Sequence, residues 1–434
     1  MLYQKEIQVR YETDVFIAGG GPAGVAAALA ARALGATVYL AEGHSCFGGM
    51  GTAGLVPAFC GIDDGVRPLA GWIGEKVMGE LVKRHGCGPW SKRCIQAEAL
   101  KRLYDEMMVA SGAEFTFETR LVDVTATAGK VDAVILNSVS GLFAAKAKVY
   151  IDCTGNGDLA AAAGASFAKG DENGVMMPPS LCSLWSNVDW PAFTASGTRI
   201  FDILVKAIEE GAFTHPDLHH TGMNPVGKHF AVANMGHVYN VDATDDRSVT
   251  HALVAARALL PEFEAFYRKY VPGFADVELA GSGSLLGVRE SRRIEGEYTL
   301  TIDDFRNQAV FDDEIGRFAY SVDIHPLDAS QQEFDRFRRE HQGDFCYRKG
   351  ESYGIPFRIM VPKKLANVLV AGRCVSADQR MGSSIRVMPG CFITGQAAGA
   401  AAALAKADGD VRVVDVRQLQ RILKEKGMYL PNFR

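Results

Sequence analysis

The sequence lacks close cysteine pairs, blocks of positive charge and long hydrophobic runs. Its nine cysteines include no Cys-X-X-Cys pair, so neither a disulfide framework nor a four-cysteine zinc site is indicated. Lysine and arginine are dispersed and the formal net charge is −5, which argues against an extended nucleic-acid-binding surface. The most apolar stretch, residues 391–405, is shorter than the roughly 20 residues of a membrane-spanning helix. With no segment resembling a signal peptide, these absences favour a cytoplasmic globular protein with a small-molecule ligand.

The composition is that of an ordinary globular protein. The chain has 434 residues, of which 48% are hydrophobic and 22% are charged. Disordered, collagen-like and coiled-coil chains have different compositions and are excluded. Because the length exceeds that of one compact domain, we expect two domains, or one domain with an inserted unit.

A strand, a glycine turn and a helix follow one another near the amino terminus. DVFIAGG predicts the strand, GGGPAG the turn and VAAALAARALG a helix that ends at Gly35, with TVYLAE as a second strand. Gly19, Gly21 and Gly24 form a G-X-G-X-X-G pattern in this unit, and Glu42 closes the second strand. The pattern predicts a dinucleotide site, in which the pyrophosphate approaches Gly21 and Glu42 accepts hydrogen bonds from the adenosine ribose. The motif alone leaves FAD and NAD open.

The rest of the chain divides by composition. Residues 95–111 have the apolar spacing of a helix, and residues 114–151 predict an antiparallel meander that ends at the glycine turn CTGNGD. Near the carboxyl terminus, NVLVAG predicts a strand and an alanine-rich helix follows, ended by Gly409. Between residues 169 and 349 the sequence is irregular and contains eight of the ten histidines, which marks a candidate second domain.

Five ordered blocks of the sequence resemble the FAD-dependent oxidoreductase family of the glutathione-reductase-like flavoprotein superfamily. They are GGGPAGVAAALAARALG, FGGMGTAGLV, VYIDCTGNGDLAAAAGA, LLGVRESRRIEGEYTLT and the tail from IPFRIMVP to GQAAGAAAAL. The resemblance implies FAD as the cofactor and an α/β fold with a Rossmann-like FAD-binding domain. That domain would be discontinuous, formed by residues 1–168 and 350–434, around an inserted α+β substrate domain of residues 169–349.

The glycine motif and the resemblance together nominate the cofactor-binding residues. Thr154 and Gly155 belong to a turn that lies beside the FAD in such proteins, and the segment around Leu121 is where they touch the adenine through backbone groups. The complete set is Gly19, Gly21, Pro22, Ala23, Gly24, Glu42, Gly48, Gly49, Met50, Thr52, Leu121, Thr154, Gly155, Asp158, Gly372, Arg373, Arg386 and Val387.

Four residues are candidates for catalysis. Pro389 suits the first turn of a helix whose amino end carries partial positive charge, and Arg386 would add a full charge that stabilises reduced flavin. A structural ion pair is the alternative role for Arg386. Arg289, His237 and Tyr353 are candidates for substrate contact. The alternatives are an internal ion-pair network for Arg289 and a hydrogen-bonded core position for His237.

Neither a metal site nor a catalytic thiol is predicted. His215, His219 and His220 have no evident carboxylate partner in the sequence, so no metal ion is expected. Disulfide reductases of the resembling superfamily carry two cysteines four residues apart after the first glycine loop, whereas Cys46 is followed only by the distant Cys60. A second dinucleotide motif for NADPH is also missing, because the AGSGSLLG cluster is followed by no alanine-rich helix and predicts a turn.

The sequence therefore predicts an FAD-dependent oxidoreductase, a dehydrogenase or oxidase that moves a hydride from a small polar organic substrate to flavin N5. Oxygen, a quinone or a carrier protein would be the electron acceptor, and a homo-oligomer is left open. Two alternatives remain at this point: an NAD-dependent dehydrogenase that uses the same first motif, and a flavin-bound subunit that relays electrons without catalysis.

Overall fold

The computed structural model describes residues 4–89, 91, 93–219, 222–341 and 345–433. The strands of this part of the chain are β1 Val9–Ala18, β2 Val38–Ala41, β3 Glu114–Thr116, β4 Arg120–Thr127, β5 Lys130–Ser138, β6 Gly141–Asp152, β7 Phe167–Ala168, β8 Ser183–Ser186, β9 Met223–Pro225, β10 Ala231–Ala233, β11 Glu278–Ser282, β12 Arg293–Ile294, β13 Glu314–Phe318, β14 Tyr353–Pro356 and β15 Val368–Val370. The helices are α1 Pro22–Ala33, α2 Ile73–Lys83, α3 Ala97–Ser111, α4 Asp158–Ala162, α5 Trp190–Ser196, α6 Ile200–Glu209, α7 Asp246–Tyr270, α8 Ile302–Arg306, α9 Gln331–His341, α10 Gln379–Ile385, α11 Met388–Ala405 and α12 Val416–Glu425.

The main sheet has seven strands in the order β3-β2-β1-β6-β5-β4, and β15 also pairs with β6. Strands β1, β2, β3, β6 and β15 run parallel, whereas β4, β5 and β6 form an antiparallel meander. This mixed α/β arrangement is consistent with the predicted Rossmann-like fold. The sequence prediction that residues 114–116 open the meander is wrong. A crossover through α2 and α3 returns this segment parallel to β2, and a short apolar run does not reveal which neighbour it pairs with.

Two alanine-rich helices, α1 and α11, cross at very short distance on the main sheet. Seventeen of the eighteen residues of α11 are buried. A β-carbon built on Gly395 would lie 2.2 Å from the carbonyl oxygen of Ala23, and one on Gly399 would lie 2.1 Å from that of Ala27. Only glycine permits this approach of the two backbones. The contact begins in the first turn of α1 and therefore fixes its amino end beside α11.

A second hydrophobic core lies between residues 181 and 286. Its sheet is antiparallel in the order β11-β8-β10-β9, and Phe263 and Phe266 of α7 pack against it. Several residues from the segment 294–345 belong instead to the first core, among them Ile294, Leu300, Phe305, Ile315, Phe318 and Phe345. The division of the chain at residues 168 and 349 stays a prediction.

Several smaller features complete the fold. The first residues of the AGSGSLLG cluster belong to strand β11 and the remainder forms a loop, so the predicted turn is correct only for its second half. No disulfide bond joins any of the nine cysteines, all of which lie in the described part of the chain. No single helix of the described residues is long and apolar enough to cross a membrane, and α10 and α11 meet that length and composition only as a pair bent by 89°.

The close crossing of α1 and α11 predicts that one methyl group added at the contact destabilises the protein. Gly399→Ala should lower the free energy of unfolding by about 1–3 kcal/mol, because the added carbon overlaps the Ala27 carbonyl and forces the helices apart. Gly79→Ala is the matched control, since Gly79 lies in α2 with no atom within 4 Å of an added β-carbon. The control should be neutral or slightly stabilising. Urea unfolding followed by circular dichroism measures both, and equal stability of the two variants would contradict the role of the crossing.

Candidate functional site

The parallel strands β1, β2, β6 and β15 end at one edge of the main sheet, where a cavity of about 400 Å³ opens. Helices α1 and α11 present their amino ends to the same cavity through Pro22 and Met388. Most of the residues nominated from the sequence for cofactor binding line it, namely Gly19, Gly21, Pro22, Ala23, Glu42, Gly49, Met50, Leu121, Thr154, Gly155, Asp158, Gly372, Arg373 and Arg386. This is the edge at which open α/β sheets bind nucleotides.

The glycine turn between β1 and α1 leaves open space at one position. A β-carbon built on Gly21 meets no atom within 4 Å, so this glycine opens onto the cavity. A β-carbon on Gly24 would lie 1.8 Å from the carbonyl oxygen of Gly19, so Gly24 serves the packing of helix on strand. Glu42 is buried and accepts hydrogen bonds from the backbone N–H groups of Gly20 and His44.

Four of the nominated residues do not line the larger cavity. Gly24 packs as described, and Gly48 has a φ of 101°, which favours glycine. Thr52 is buried and its hydroxyl donates to the Phe47 carbonyl at 2.6 Å, which closes the loop after β2. Val387 caps α11 and lines a second, smaller cavity. These residues shape the wall without facing the larger cavity.

A buried carboxylate that the sequence analysis missed organises the turn after β6. Asp152 accepts hydrogen bonds from the backbone N–H and the hydroxyl of Thr154 and from the N–H of Ala160. Burial raises the pKa of Asp152 to about 6. The Thr154–Gly155 turn is therefore held rigidly beside the cavity. The only available signal was an aspartate as the last residue of an apolar strand, before a glycine turn.

Arg373 joins this turn to two other segments. Its guanidinium donates to the carbonyl oxygens of Gly155 at 2.9 Å and Val288 at 2.7 Å, and to the Asn156 side-chain oxygen at 2.8 Å. All three acceptors are neutral, and Arg373 forms no ion pair with any described residue. Burial lowers the pKa of this guanidinium. Asp158, in contrast, is already paired with Arg292 at 2.8 Å.

A smaller cavity of about 120 Å³ adjoins the larger one. The two share the lining residues Met50, Arg373, Arg386 and Met388. The remaining wall comes from several loops and contains most of the polar groups, the lining residues being Val56, Ala58, Cys60, Asn234, Gly287, Val288, Arg289, Tyr320, Asp323, His325 and Val387. A molecule in the smaller cavity would meet one in the larger cavity at the shared residues.

Arg386 lies on the wall that the two cavities share. The sequence left two roles open for this residue, contact with the flavin and a structural ion pair. Its Nη2 lies 3.0 Å from the Asp323 carboxylate, while its Nε is buried without an acceptor in the described chain. Burial alone would raise the pKa of Asp323, but the charged groups near it, Arg386 and Arg289 among them, hold it well below its usual range. Helix α11 begins at Met388, which confirms the predicted first-turn position of Pro389.

Four side chains form a continuous hydrogen-bonded chain that starts at the smaller cavity. Arg289 Nε lies 3.1 Å from His325 Nε2, and His325 Nδ1 lies 2.7 Å from His237 Nε2. His237 Nδ1 lies 2.7 Å from an oxygen of Asp217. His325 lines the smaller cavity, whereas His237 does not. We refer to these four residues as the histidine chain.

The direction of every hydrogen bond in the histidine chain follows from its first member. A guanidinium has no acceptor, so His325 Nε2 must accept from Arg289 and neutral His325 must carry its proton on Nδ1. That proton is donated to His237 Nε2, so neutral His237 carries its own proton on Nδ1 and donates it to Asp217. Burial lowers the pKa of His237, and burial together with Arg289 lowers that of His325 well below its usual value. Both imidazoles are therefore neutral at pH 7.

Over residues 14–423 the sequence matches the family described as FAD dependent oxidoreductase. The chain belongs to this family. FAD is therefore the cofactor, and the protein is an FAD-dependent oxidoreductase enzyme. No curated protein matches the sequence significantly.

The solved structures that match this chain have low sequence identity to it. A geranylgeranyl bacteriochlorophyll reductase-like protein from Thermoplasma acidophilum is 13% identical with a TM-score of 0.45, covering 96% of this chain and 84% of its own. The flavin-dependent brominase Bmp2 is 14% identical with a TM-score of 0.47, covering 95% and 83%. The myxobacterial chondrochloren halogenase CndH is 12% identical with a TM-score of 0.45, covering 96% and 79%.

The walls of the larger cavity suit FAD. The amino ends of α1 and α11 offer first-turn N–H groups, which attract phosphate, and the space in front of Gly21 admits it. Arg373 is a half-buried cation whose charge a diphosphate would compensate. Glu42 lies on the wall at the end of β2, where a ribose hydroxyl would donate to it. Gly21, Glu42 and Arg373 would therefore hold the cofactor of this oxidoreductase.

Three histidines come close to one another. Ring nitrogens of His219, His237 and His325 lie within 4.8 Å of one another, a spacing that could hold a metal ion. The sequence did not reveal this group, because its members are far apart in the chain. His325 is also next to the Arg289 cation, which opposes a second positive charge. The expectation of no metal stays a prediction, and His220 lies outside the described residues.

Tyr353 belongs to β14, which pairs antiparallel with β13, is wholly buried and hydrogen-bonds the Ser384 hydroxyl at 3.0 Å. It lines neither the larger nor the smaller cavity. The apolar strand that contains Tyr353 turns its ring into the core, and substrate contact by this residue stays a prediction.

The open space at Gly21 allows a substitution that separates folding from cofactor binding. Gly21→Leu should leave the secondary structure intact and abolish FAD binding, because the new side chain enters only the cavity. Gly79→Leu places the same side chain on an exposed face of α2 and should keep the cofactor. The ratio of flavin to protein absorbance after purification measures the outcome, with circular dichroism as the folding control. Full flavin content in folded Gly21→Leu protein would refute the phosphate position.

Proposed function

We propose that this FAD-dependent oxidoreductase is a dehydrogenase or oxidase that removes a hydride from a small polar organic substrate. The observation that carries the proposal is the smaller cavity, which adjoins the larger one at Arg386 and Met388 and contains both cationic and proton-accepting groups. When bound, FAD supplies the hydride acceptor, flavin N5. Placement in the glutathione-reductase-like superfamily, with the second core as a substrate cap, belongs to the same proposal. Oxygen, a quinone or a carrier protein would reoxidise the cofactor.

Hydride loss from an alcohol or amine carbon also releases one proton from the substrate oxygen or nitrogen, as the carbon–heteroatom double bond forms. Burial raises the pKa of Cys60 to about 11 and, with Asp323, raises that of Tyr320 well above its usual value. Neither group is an acceptor at neutral pH. The unprotonated groups on the cavity wall are Asp323 and His325. Because Asp323 is already paired with Arg386, we assign proton acceptance to His325 Nε2, which exchanges the hydrogen bond that it accepts from Arg289 Nε for the substrate proton.

The remaining members of the histidine chain position His325. Asp217 fixes the proton of His237 on Nδ1, so that His237 presents an unprotonated Nε2 to His325 Nδ1–H. His325 is thereby held with Nε2 unprotonated, the state required of a base. When Nε2 gains a proton, the neighbouring Arg289 disfavours the new positive charge, and Asp323, 3.5 Å away, and Asp217, through His237, offset it. Carboxylates orient and stabilise imidazolium in this way in other enzymes.

Anaerobic mixing of the purified protein with a panel of small hydroxy and amino compounds tests the proposal. At least one compound should bleach the flavin absorbance in a stoichiometric, saturable manner. His325→Gln should then slow the bleaching by about a hundredfold to ten-thousandfold, as expected for loss of a general base. His251→Gln, on the exposed face of α7, is the matched control and should react normally. A larger loss in Asp323→Asn than in His325→Gln would contradict the assignment of the base.

Arg386 gives a prediction that needs no substrate. Hydride addition leaves negative charge on the reduced flavin, and a cation on the wall shared by both cavities stabilises that charge. Arg386→Ala should therefore lower the reduction potential of the bound FAD, and it also leaves the Asp323 carboxylate without its partner. Arg386→Lys should have a smaller effect, since the charge remains. A spectroelectrochemical titration decides: an unchanged potential in Arg386→Ala would leave Arg386 as a structural ion-pair partner.

A further inference from the structure

The charges around the smaller cavity do not balance. Among the described residues that line it, three are arginines and one is an ionised carboxylate. Asp323 pairs with Arg386, and Arg373 stands at the junction with the larger cavity, where the cofactor phosphates can compensate it. Arg289 lines only the smaller cavity and forms no ion pair with any residue that the structure describes.

Arg289 is buried with neutral partners only. Its Nη1 donates to the Pro178 carbonyl at 2.8 Å and to the Ser180 hydroxyl at 3.0 Å, and its Nη2 donates to the Asn234 side-chain oxygen at 3.3 Å. With the bond to His325, four of its five N–H groups are used. Neutral acceptors satisfy hydrogen bonds without cancelling the charge, and an uncompensated buried charge is costly.

The same burial shifts the pKa of Arg289. Burial, assisted by the nearby Arg386, lowers the pKa of Arg289 to about 10. The guanidinium nevertheless stays charged at neutral pH. A cavity with a buried, unpaired cation on its wall favours the binding of an anion.

Unused donors on the wall indicate the shape of the anion. Arg289 Nη2 has one N–H group beyond its bond to Asn234, and Arg386 Nε is buried without an acceptor in the described chain. A carboxylate has two oxygens in one plane and accepts from guanidinium groups with good geometry. The small volume, about 120 Å³, restricts the ligand to a compact molecule.

We propose that the smaller cavity is a carboxylate-binding site, in which Arg289 holds a small organic acid as the substrate of the oxidoreductase. The identification of that acid as substrate rests on the proposed function, whereas anion binding at Arg289 does not. A hydroxy or amino acid bound in this way has its carboxylate at Arg289 and its reacting carbon within the same small cavity as His325.

Titration of the FAD-loaded protein with three probes tests the site without turnover. Sodium acetate, neutral acetamide and sodium chloride are added at constant ionic strength, and the perturbation of the flavin absorbance is followed. Acetate should bind saturably and about tenfold or more tighter than either of the others, as expected for charge-assisted hydrogen bonds to a fitting carboxylate. Acetate binding no tighter than acetamide, or no tighter than chloride, overturns the proposal. This comparison uses the unaltered protein and is decisive even if a variant fails to fold.

Variants assign the effect to Arg289. Arg289→Met should abolish acetate binding, and Arg289→Lys should weaken it by about tenfold because the planar fork is lost. Arg358→Met is the matched control, since Arg358 is half exposed, pairs with Asp313 and lines neither cavity. It should bind acetate normally. Unchanged acetate binding in folded, FAD-loaded Arg289→Met protein would overturn the proposal.

The outcomes separate this inference from the proposed function. Acetate binding that depends on Arg289, together with no reduction by any compound of the panel, would support the anion site and count against hydride removal. Reduction by neutral compounds alone, without acetate binding, would support hydride removal and overturn the anion site.

Discussion

The close crossing of α1 and α11 is the contact on which the candidate site depends. Gly395 and Gly399 let α11 approach the backbone of Ala23 and Ala27, which belong to the first half of α1. Two helix amino ends, separated in the chain by more than the whole second core, therefore open on one cavity. A side chain at either glycine would separate them. The alanine-rich composition of both helices is thus a requirement of cofactor binding as much as of packing.

The second constraint is electrostatic. Arg373 ties the turn after β6 to the loop after β15 and to Val288, using neutral acceptors throughout. Arg289 is held in the same manner on the other side of the shared wall. Both guanidinium groups are positioned by hydrogen bonds and left without an internal counter-ion, so their charge is available to ligands. Arg373 lines the larger cavity as well as the smaller one, whereas Arg289 lines only the smaller cavity. The two cavities therefore differ in the ligands that they favour.

The sequence predicted those features correctly that depend only on residues close together in the chain. The glycine motif, α1, the strand at β15 and the first-turn position of Pro389 are local features, because each depends on backbone demands within about one turn or strand. It failed where the answer depends on which distant segment is adjacent. Strand β3 pairs in parallel with β2, although this short segment does not reveal its neighbour. Asp152 was missed for a different reason: its partners Thr154 and Ala160 are close in the sequence, but an aspartate before a turn does not show by itself that it is buried.

The histidine chain could not have been recognised from the sequence at all. His237 is 20 residues from Asp217 and 88 residues from His325, and none of the three lies in a regular pattern. The proton positions of the two imidazoles are set by the two ends of the chain. At one end Arg289 can only donate hydrogen bonds, and at the other end ionised Asp217 can only accept them. Together they determine which ring nitrogen of His325 and of His237 carries the proton. The protonation of His325 at the cavity is therefore a property of the fold, assembled from four segments that the chain keeps apart.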